Sequence, residues 1–137
     1  MKRLWAPWRK HYVTHKKPVG CIFCSAWRHP RKKDEKNLVV FRSRHGFILL
    51  NLYPYNNGHL MVVPARHVPT LEKLTSRERL DILGLHDVAL AILRKALHSQ
   101  GFNVGMNLGR IGGAGFPNHL HIHVVPRWEG DTNFMPV

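Results

Sequence analysis

The stretch FPNHLHIHVVPRW, residues 116–128, carries His119, His121 and His123 at every second position, with Leu120, Ile122 and Val124 between and after them. Side chains on a strand alternate faces, so this spacing predicts a strand over 119–126 with three imidazoles on one face and three aliphatic residues on the other. Same-face neighbours on a strand stand about 7 Å apart. Three such residues form a row, not a cluster. Two alternate imidazoles can reach one metal if other ligands arrive from elsewhere, but a third in line fits poorly into the same sphere. The row could hold metal, bind phosphate, or pair a nucleophile with helpers, and divided labour suits it best.

The surrounding chain predicts the sheet that this strand joins. LVVFR (38–42) and FILLNLY (47–53) flank a polar loop at 43–46, and HLMVVP (59–64) follows the turn signal Pro54-Tyr55-Asn56-Asn57-Gly58. The period then changes. Thr75 with Glu78 fits a capping box, and Ile82, Leu85, Ala89, Ile92, Leu93, Ala96 and Leu97 form a helical stripe that stops near His98–Gly101. FNVGMNL (102–108) reads as a fourth strand. The order β-β-β-α-β-β predicts an α+β domain, an antiparallel five-stranded sheet with one helix packed on it. At 137 residues the chain fits a single domain, 1–137, divided into a basic N-terminal arm (1–36) and a core (37–137). The arm reads as irregular.

The net charge of +13 is unevenly spread. Residues 1–45 hold 13 of the 21 Lys and Arg against Asp34 and Glu35 alone. That excess suits an anionic partner, or a solvated arm around RKKDEK (31–36). No helix-turn-helix, zinc-finger or RNP pattern supports nucleic-acid binding. No apolar run approaches the roughly 20 residues of a membrane helix, and the basic N-terminus lacks an apolar segment of the signal-peptide type, so a cytoplasmic protein is expected. Cys21 and Cys24 form one C-x-x-C. It can serve as a zinc half-site, a redox pair or neither, and no helix-opening thioredoxin context favours the redox choice.

Gly109, Gly112, Gly113 and Gly115 lie just before the histidine row. Such a loop lets backbone N–H groups converge on an anion. It is neither a Walker A loop nor a dinucleotide fingerprint, because no Gly-Lys-Ser/Thr follows and the next element is a strand. Beside three histidines it becomes a candidate phosphate cradle. A neutral imidazole can attack phosphorus, while a neighbouring His⁺ and backbone donors stabilise the phosphoryl oxygens. Carboxylates are scarce here, which argues against a two-metal hydrolase.

HLHIHVV resembles the histidine-triad signature of the HIT superfamily. CIFC (21–24), NLYPYNNGHLMVVPARHV (51–68), GFNVGMNLG (101–109) and HLHIHVVPRWEGDTNF (119–134) are similar to its branch of fragile-histidine-triad proteins and bacterial diadenosine tetraphosphate phosphorylases. The resemblance covers nearly the whole chain, in order. It implies an enzyme that cleaves nucleotide conjugates at the α-phosphate through a nucleotidyl-histidine intermediate, on substrates such as diadenosine tetraphosphate. His121 would be the nucleophile, His123 would bind phosphate, and His59 would back the nucleophile with a hydrogen bond. Asn51 would bind ribose, Asn107, Gly112, Gly113 and Gly115 would hold phosphates, and Trp128 would contact the nucleotide. Cys21, Cys24, His67 and His119 would bind a structural zinc, and a homodimer joining two sheets would involve strand 102–108 and the helix beside it. Alternatives are a phosphoramidate or AMP-conjugate hydrolase, a nucleotide-binding module with weak catalysis, and a hydrolase with catalytic zinc on the triad. In two places the chain departs from the pattern. Gly115 and Phe116 stand where relatives often carry Ser or Gln, and the chain stops at Val137, where many relatives continue.

Overall fold

The structure, a computed structural model, describes residues 7–14, 16 and 18–133. The first six residues of the basic arm and the last four of the chain lie outside these. Five strands form one antiparallel sheet: β1 (Val39–Arg42), β2 (Gly46–Leu50), β3 (Leu60–Pro64), β4 (Gly101–Gly105) and β5 (Ile122–Arg127). Their order is β1-β2-β3-β5-β4. The last strand therefore inserts between β3 and β4, which puts its histidines near the middle of the sheet.

Three helices join the sheet: α1 (Lys10–Thr14), α2 (Ile22–Arg28) and α3 (Ser76–Leu97). The capping box at Thr75 is present. Thr75 Oγ1 accepts from the Glu78 amide, and the Glu78 carboxylate accepts from the Thr75 amide at 2.7 Å. The helix ends at His98 in left-handed geometry (φ 51), bonded back to Arg94. Ile82, Leu85, Ala89 and Leu93 of α3 close one face of the sheet over Ile48, Leu60, Val62, Leu120, Ile122 and Val124. Gly46 permits that approach, because a Cβ there would stand 2.7 Å from the Val63 carbonyl oxygen and 2.8 Å from Ile82 Cδ1.

Arg66 pairs with Glu78 at 2.8 Å, and this bond, with the Thr75 amide, lowers the Glu78 carboxyl from 4.5 to about 2. A carboxyl depressed by folding stabilises the protein above its unfolded value. That contribution is lost as pH falls from about 4.5 towards 2. Glu78→Gln is expected to cost about 1 kcal/mol at pH 7 and little near pH 2, as read by denaturant melts at both pH values.

Part of the arm is ordered, contrary to its irregular appearance. α2 lies on the other sheet face, where Phe23 and Ala26 pack with Val39, Phe47, Leu49, Met61 and Val63. Its two inward residues are too few for a visible period. Arg42 of β1 anchors it. This guanidinium, 7% exposed, pairs with Asp34 and donates to the carbonyls of Ala26 (3.0 Å), Trp27 (2.8 Å) and His29 (3.3 Å). It thereby satisfies the carbonyls that a helix end leaves open.

Three strand limits also differ from expectation. β2 stops at Leu50 because Asn51 Oδ1 accepts the Tyr53 amide and turns the chain away. β4 stops at Gly105 and not at Leu108. β5 begins at Ile122, so only His123 of the triad lies on the strand proper. Upstream, the Leu120 amide bonds the Val68 carbonyl, in the loop after β3, at 2.7 Å.

Candidate active site and metal centre

The strand registers place one row across the α2 face of the sheet: Val39, Leu49, Met61, His123 and Gly105, each opposite the next. A cavity of about 660 Å³ lies over this row, with His121, His123, Asn107, Gly113 and Gly115 in its wall together with Asn51, Leu49 and Leu38. The histidines and glycines belong to the β5–β4 side. The aliphatic residues belong to the β1–β2 side.

The tautomers of the triad follow from its partners. A carbonyl can only accept, so His121 Nδ1, 2.9 Å from the His119 carbonyl, carries the hydrogen and its Nε2 holds the lone pair. Burial lowers the pKa of His121, opposed by that bond, and favours the neutral ring. Phe23 packs on this imidazole at 4.9 Å between ring centres. A second chain of bonds fixes His123. The Tyr55 amide donates to His59 Nδ1 at 3.0 Å, so His59 carries its hydrogen on Nε2. That hydrogen is given to His123 Nδ1 at 2.8 Å, which leaves His123 with its own hydrogen on Nε2. The site therefore holds a buried acceptor nitrogen on His121 and a donor nitrogen on His123, with ring centres 5.0 Å apart. An electrophilic phosphorus with anionic oxygens matches that pair.

This geometry corrects the role expected for His59. It backs His123, and the bond that orients His121 comes from the main chain two residues upstream. The reason is register: His123 faces Met61 on β3, next to where His59 enters that strand.

The remaining phosphate and ribose candidates divide. Asn51, Asn107, Gly113 and Gly115 reach the cavity. Gly113 has φ +86, and a Cβ there would stand 3.9 Å from Asn107 Nδ2. Gly112 does not line the cavity. A Cβ there would stand 2.3 Å from the Leu108 carbonyl oxygen, so its glycine is required by the loop's own packing. Trp128 also lies elsewhere. Its indole donates to the Leu97 carbonyl at 3.2 Å, at the C-terminal end of α3. The resemblance implied contact with the nucleotide, but Trp128 is not in the wall of the cavity, since the chain after β5 leads away from it. Phe23 and Tyr55 were not singled out in the sequence. Tyr55 stacks on His59 with ring centres 4.6 Å apart. Its only signal was a place in a turn.

The first triad histidine belongs to another centre. Cys21, Cys24, His67 and His119 bring four ligand atoms within 4.8 Å of one another. His119 Nδ1 is 3.2 Å from Cys21 Sγ, 3.5 Å from Cys24 Sγ and 3.1 Å from His67 Nδ1, and Cys24 Sγ is 3.3 Å from His67 Nδ1. Ligand atoms on a tetrahedral zinc stand about 3.3–3.8 Å apart, so the set has the right size. The tautomer fits as well. His119 Nε2 gives its hydrogen to the Pro64 carbonyl at 2.8 Å, which turns a bare Nδ1 towards the sulfurs. Burial holds the pKa of His119 down, at about 4, so the ring is a neutral ligand. Burial, with the Cys21 sulfur close by, raises the Cys24 thiol. A thiol that resists ionising beside a second sulfur is what a dication relieves. The residues fit a metal.

A family model described as HIT domain matches residues 32–130, most of the chain. The chain belongs to the HIT family. This HIT protein is 41% identical over 143 residues to an AP-4-A phosphorylase of Mycobacterium tuberculosis, which covers all of this chain and 73% of that protein. It is 31% identical over 93 residues to the asymmetrical bis(5'-nucleosyl)-tetraphosphatase of Schizosaccharomyces pombe, covering 68% of this chain and 50% of that one. The fold matches the crystal structure of a Zn-bound histidine triad family protein from Mycobacterium smegmatis at a TM-score of 0.64 and 26% identity, over 82% of this chain and 78% of that one. The sheet and packed helix of the HIT protein thus agree with the α+β architecture expected from its sequence. No helix among the described residues is long and apolar enough to cross a membrane.

Proposed function

We propose that this protein cleaves dinucleoside polyphosphates at an α-phosphate and passes the nucleotidyl group from His121 to inorganic phosphate. The observation that carries this reading is the opposed tautomers of His121 and His123 in one buried pocket. The mycobacterial phosphorylase and the fission-yeast tetraphosphatase support the substrate class.

In the first step the His121 Nε2 lone pair forms a bond to the α-phosphorus, and the bond from that phosphorus to the bridging oxygen breaks. The remaining polyphosphate leaves with the electron pair. His123 Nε2–H donates to the phosphoryl oxygens from an orientation that its bond to His59 has already fixed, so it costs no reorganisation. Asn107 adds a side-chain contact at the same end. Asn51 stands where ribose would lie; its Oδ1 is bonded to the Tyr53 amide, and its Nδ2 lies 3.7 Å from the weak acceptor Met61 Sδ. In the second step a phosphate oxygen attacks the same phosphorus, the P–N bond breaks, and the imidazole lone pair is restored. Gly115 and Phe116 contribute no side-chain hydroxyl or amide to the leaving group.

The Cys21, Cys24, His67 and His119 centre holds zinc in this reading, with a structural role. Four protein ligands leave no open position for substrate. When bound, the ion supplies the positive charge that keeps both sulfurs ionised and ties α2 to the triad segment. A homodimer is the expected assembly. β4 forms one end of the described sheet order, and Phe102, Val104 and Met106 beside it are only partly buried.

Diadenosine tetraphosphate tests the acceptor. With phosphate present the expected products are ADP and ATP, separated by ion-exchange chromatography, with little turnover in its absence. AMP and ATP formed without phosphate would instead assign water as the acceptor.

A further inference from the structure

A dinucleoside polyphosphate carries two nucleosides, and the cavity over the sheet row accounts for one. Its phosphate end lies at His121 and His123. Its far end runs towards Val39, three strand spacings or roughly 14 Å from His123. The rest of such a substrate lies beyond the bond that breaks. A second cavity, of about 450 Å³, opens beside the first. That volume is within the range of small-molecule sites, about 300–1,000 Å³. Pro18, Cys21, Gly115 and Phe116 stand in the walls of both cavities, so the two meet along the loop before the triad.

The second cavity has the lining that a flat ring needs. Phe116 and Pro117 follow one another in its wall, and Pro18 adds a third apolar ring. The Phe116 ring stands edge-on to Phe23 with centres 5.8 Å apart, and Phe23 packs on the nucleophile His121. The Phe116 carbonyl accepts the His119 amide at 3.3 Å, which holds the turn between them. The metal ligands Cys21, His67 and His119 form another part of the wall. An ion among them needs only the space between ligand atoms that lie within 4.8 Å of one another, a small part of this volume. Phe116, with Gly115, also stands where relatives often carry Ser or Gln. A hydroxyl or amide there would meet phosphate, whereas an aromatic ring meets a base.

We infer that the second cavity holds the leaving nucleoside of the substrate, with its base stacked on Phe116. The inference rests on the nucleotide reading above and adds the place of the half that departs. The phosphate chain crosses at Gly115, the shared wall residue that has no side chain to bar it. Stacking on an aromatic face accepts any base. The site therefore tells a dinucleotide from a mononucleotide without reading which base it carries.

The test compares two substrates of the full-length protein, each with inorganic phosphate present. One is diadenosine tetraphosphate. The other is adenosine tetraphosphate methylated on its terminal phosphate, which has the same charge and lacks the second nucleoside. Wild type is expected to cleave the dinucleotide with a kcat/KM at least about tenfold higher, beyond the factor that its two equivalent ends supply. The methyl ester uses the first cavity alone, so the ratio of the two isolates the second. Phe116→Leu keeps an apolar side chain but removes the flat ring, and is expected to lower that ratio about fivefold. Phe116→Tyr keeps the ring and should keep the ratio. A wild-type ratio no greater than the two ends account for, or the same ratio in Phe116→Leu as in wild type, would overturn the assignment. If wild type cleaves neither compound, the nucleotide reading itself fails and the second site falls with it.

Discussion

Replacing His121 by alanine is expected to lower turnover of diadenosine tetraphosphate at least about a thousandfold while leaving nucleotide affinity within a few-fold of wild type. The imidazole supplies the lone pair that bonds phosphorus, and no neighbour can take its place. His123 carries its hydrogen on the nitrogen offered to the cavity, because His59 occupies the other one. His119 turns its Nδ1 to the sulfurs and gives its Nε2–H to Pro64. Binding should survive, because the cavity wall runs from Asn107 to Leu38 and His121 is one residue in it. His59→Ala is the informative contrast. It leaves the bond between His121 and the His119 carbonyl intact, so it should reduce rather than abolish turnover, through loss of the preferred tautomer at His123. Equal losses for His59→Ala and His121→Ala would show that His59 acts on the nucleophile after all.

The second large effect concerns the metal centre. Purified protein is expected to contain one zinc per chain by elemental analysis, and the double variant Cys21→Ser, Cys24→Ser none. The variant should melt more than about 10 °C lower, because the metal's binding energy is folding energy and a domain of this size loses about 2–4 °C per kcal/mol. Activity should fall with it. The carbonyl that orients His121 belongs to His119, so loss of the ligand loosens the nucleophile from one peptide away. Rapid recovery of a folded but inactive chelated protein on adding zinc, with no change in melting temperature, would instead give the metal a catalytic place.

Much of this arrangement was legible in the sequence because it is carried by local patterns. Alternation at 119–125 put Leu120, Ile122 and Val124 in one core and the histidines on the opposite side, and the capping box set the start of α3. The C-x-x-C spacing marked only a possible half-site; the resemblance to the HIT family implied His67 and His119 as its partners, and the fold brings the four together. Long-range pairing was not legible. Which partner His59 reaches depends on β5 lying between β3 and β4, a register set by the whole sheet. The helix at 22–28 escaped notice because Phe23 and Ala26 alone mark its inner face. Trp128 is absent from the cavity wall for a similar reason, since nearness in sequence to the triad says nothing about which end of β5 faces the cavity.

The covalent step is the central claim, and it can be trapped directly. Protein mixed briefly with diadenosine tetraphosphate in the absence of phosphate, then quenched at alkaline pH, is measured by intact mass spectrometry. The account predicts an acid-labile adduct of one AMP group per chain, mapped by peptide fragmentation to His121 and discharged as ADP on adding phosphate. An adduct on another residue, or steady turnover with phosphate and no adduct at any mixing time, would contradict it.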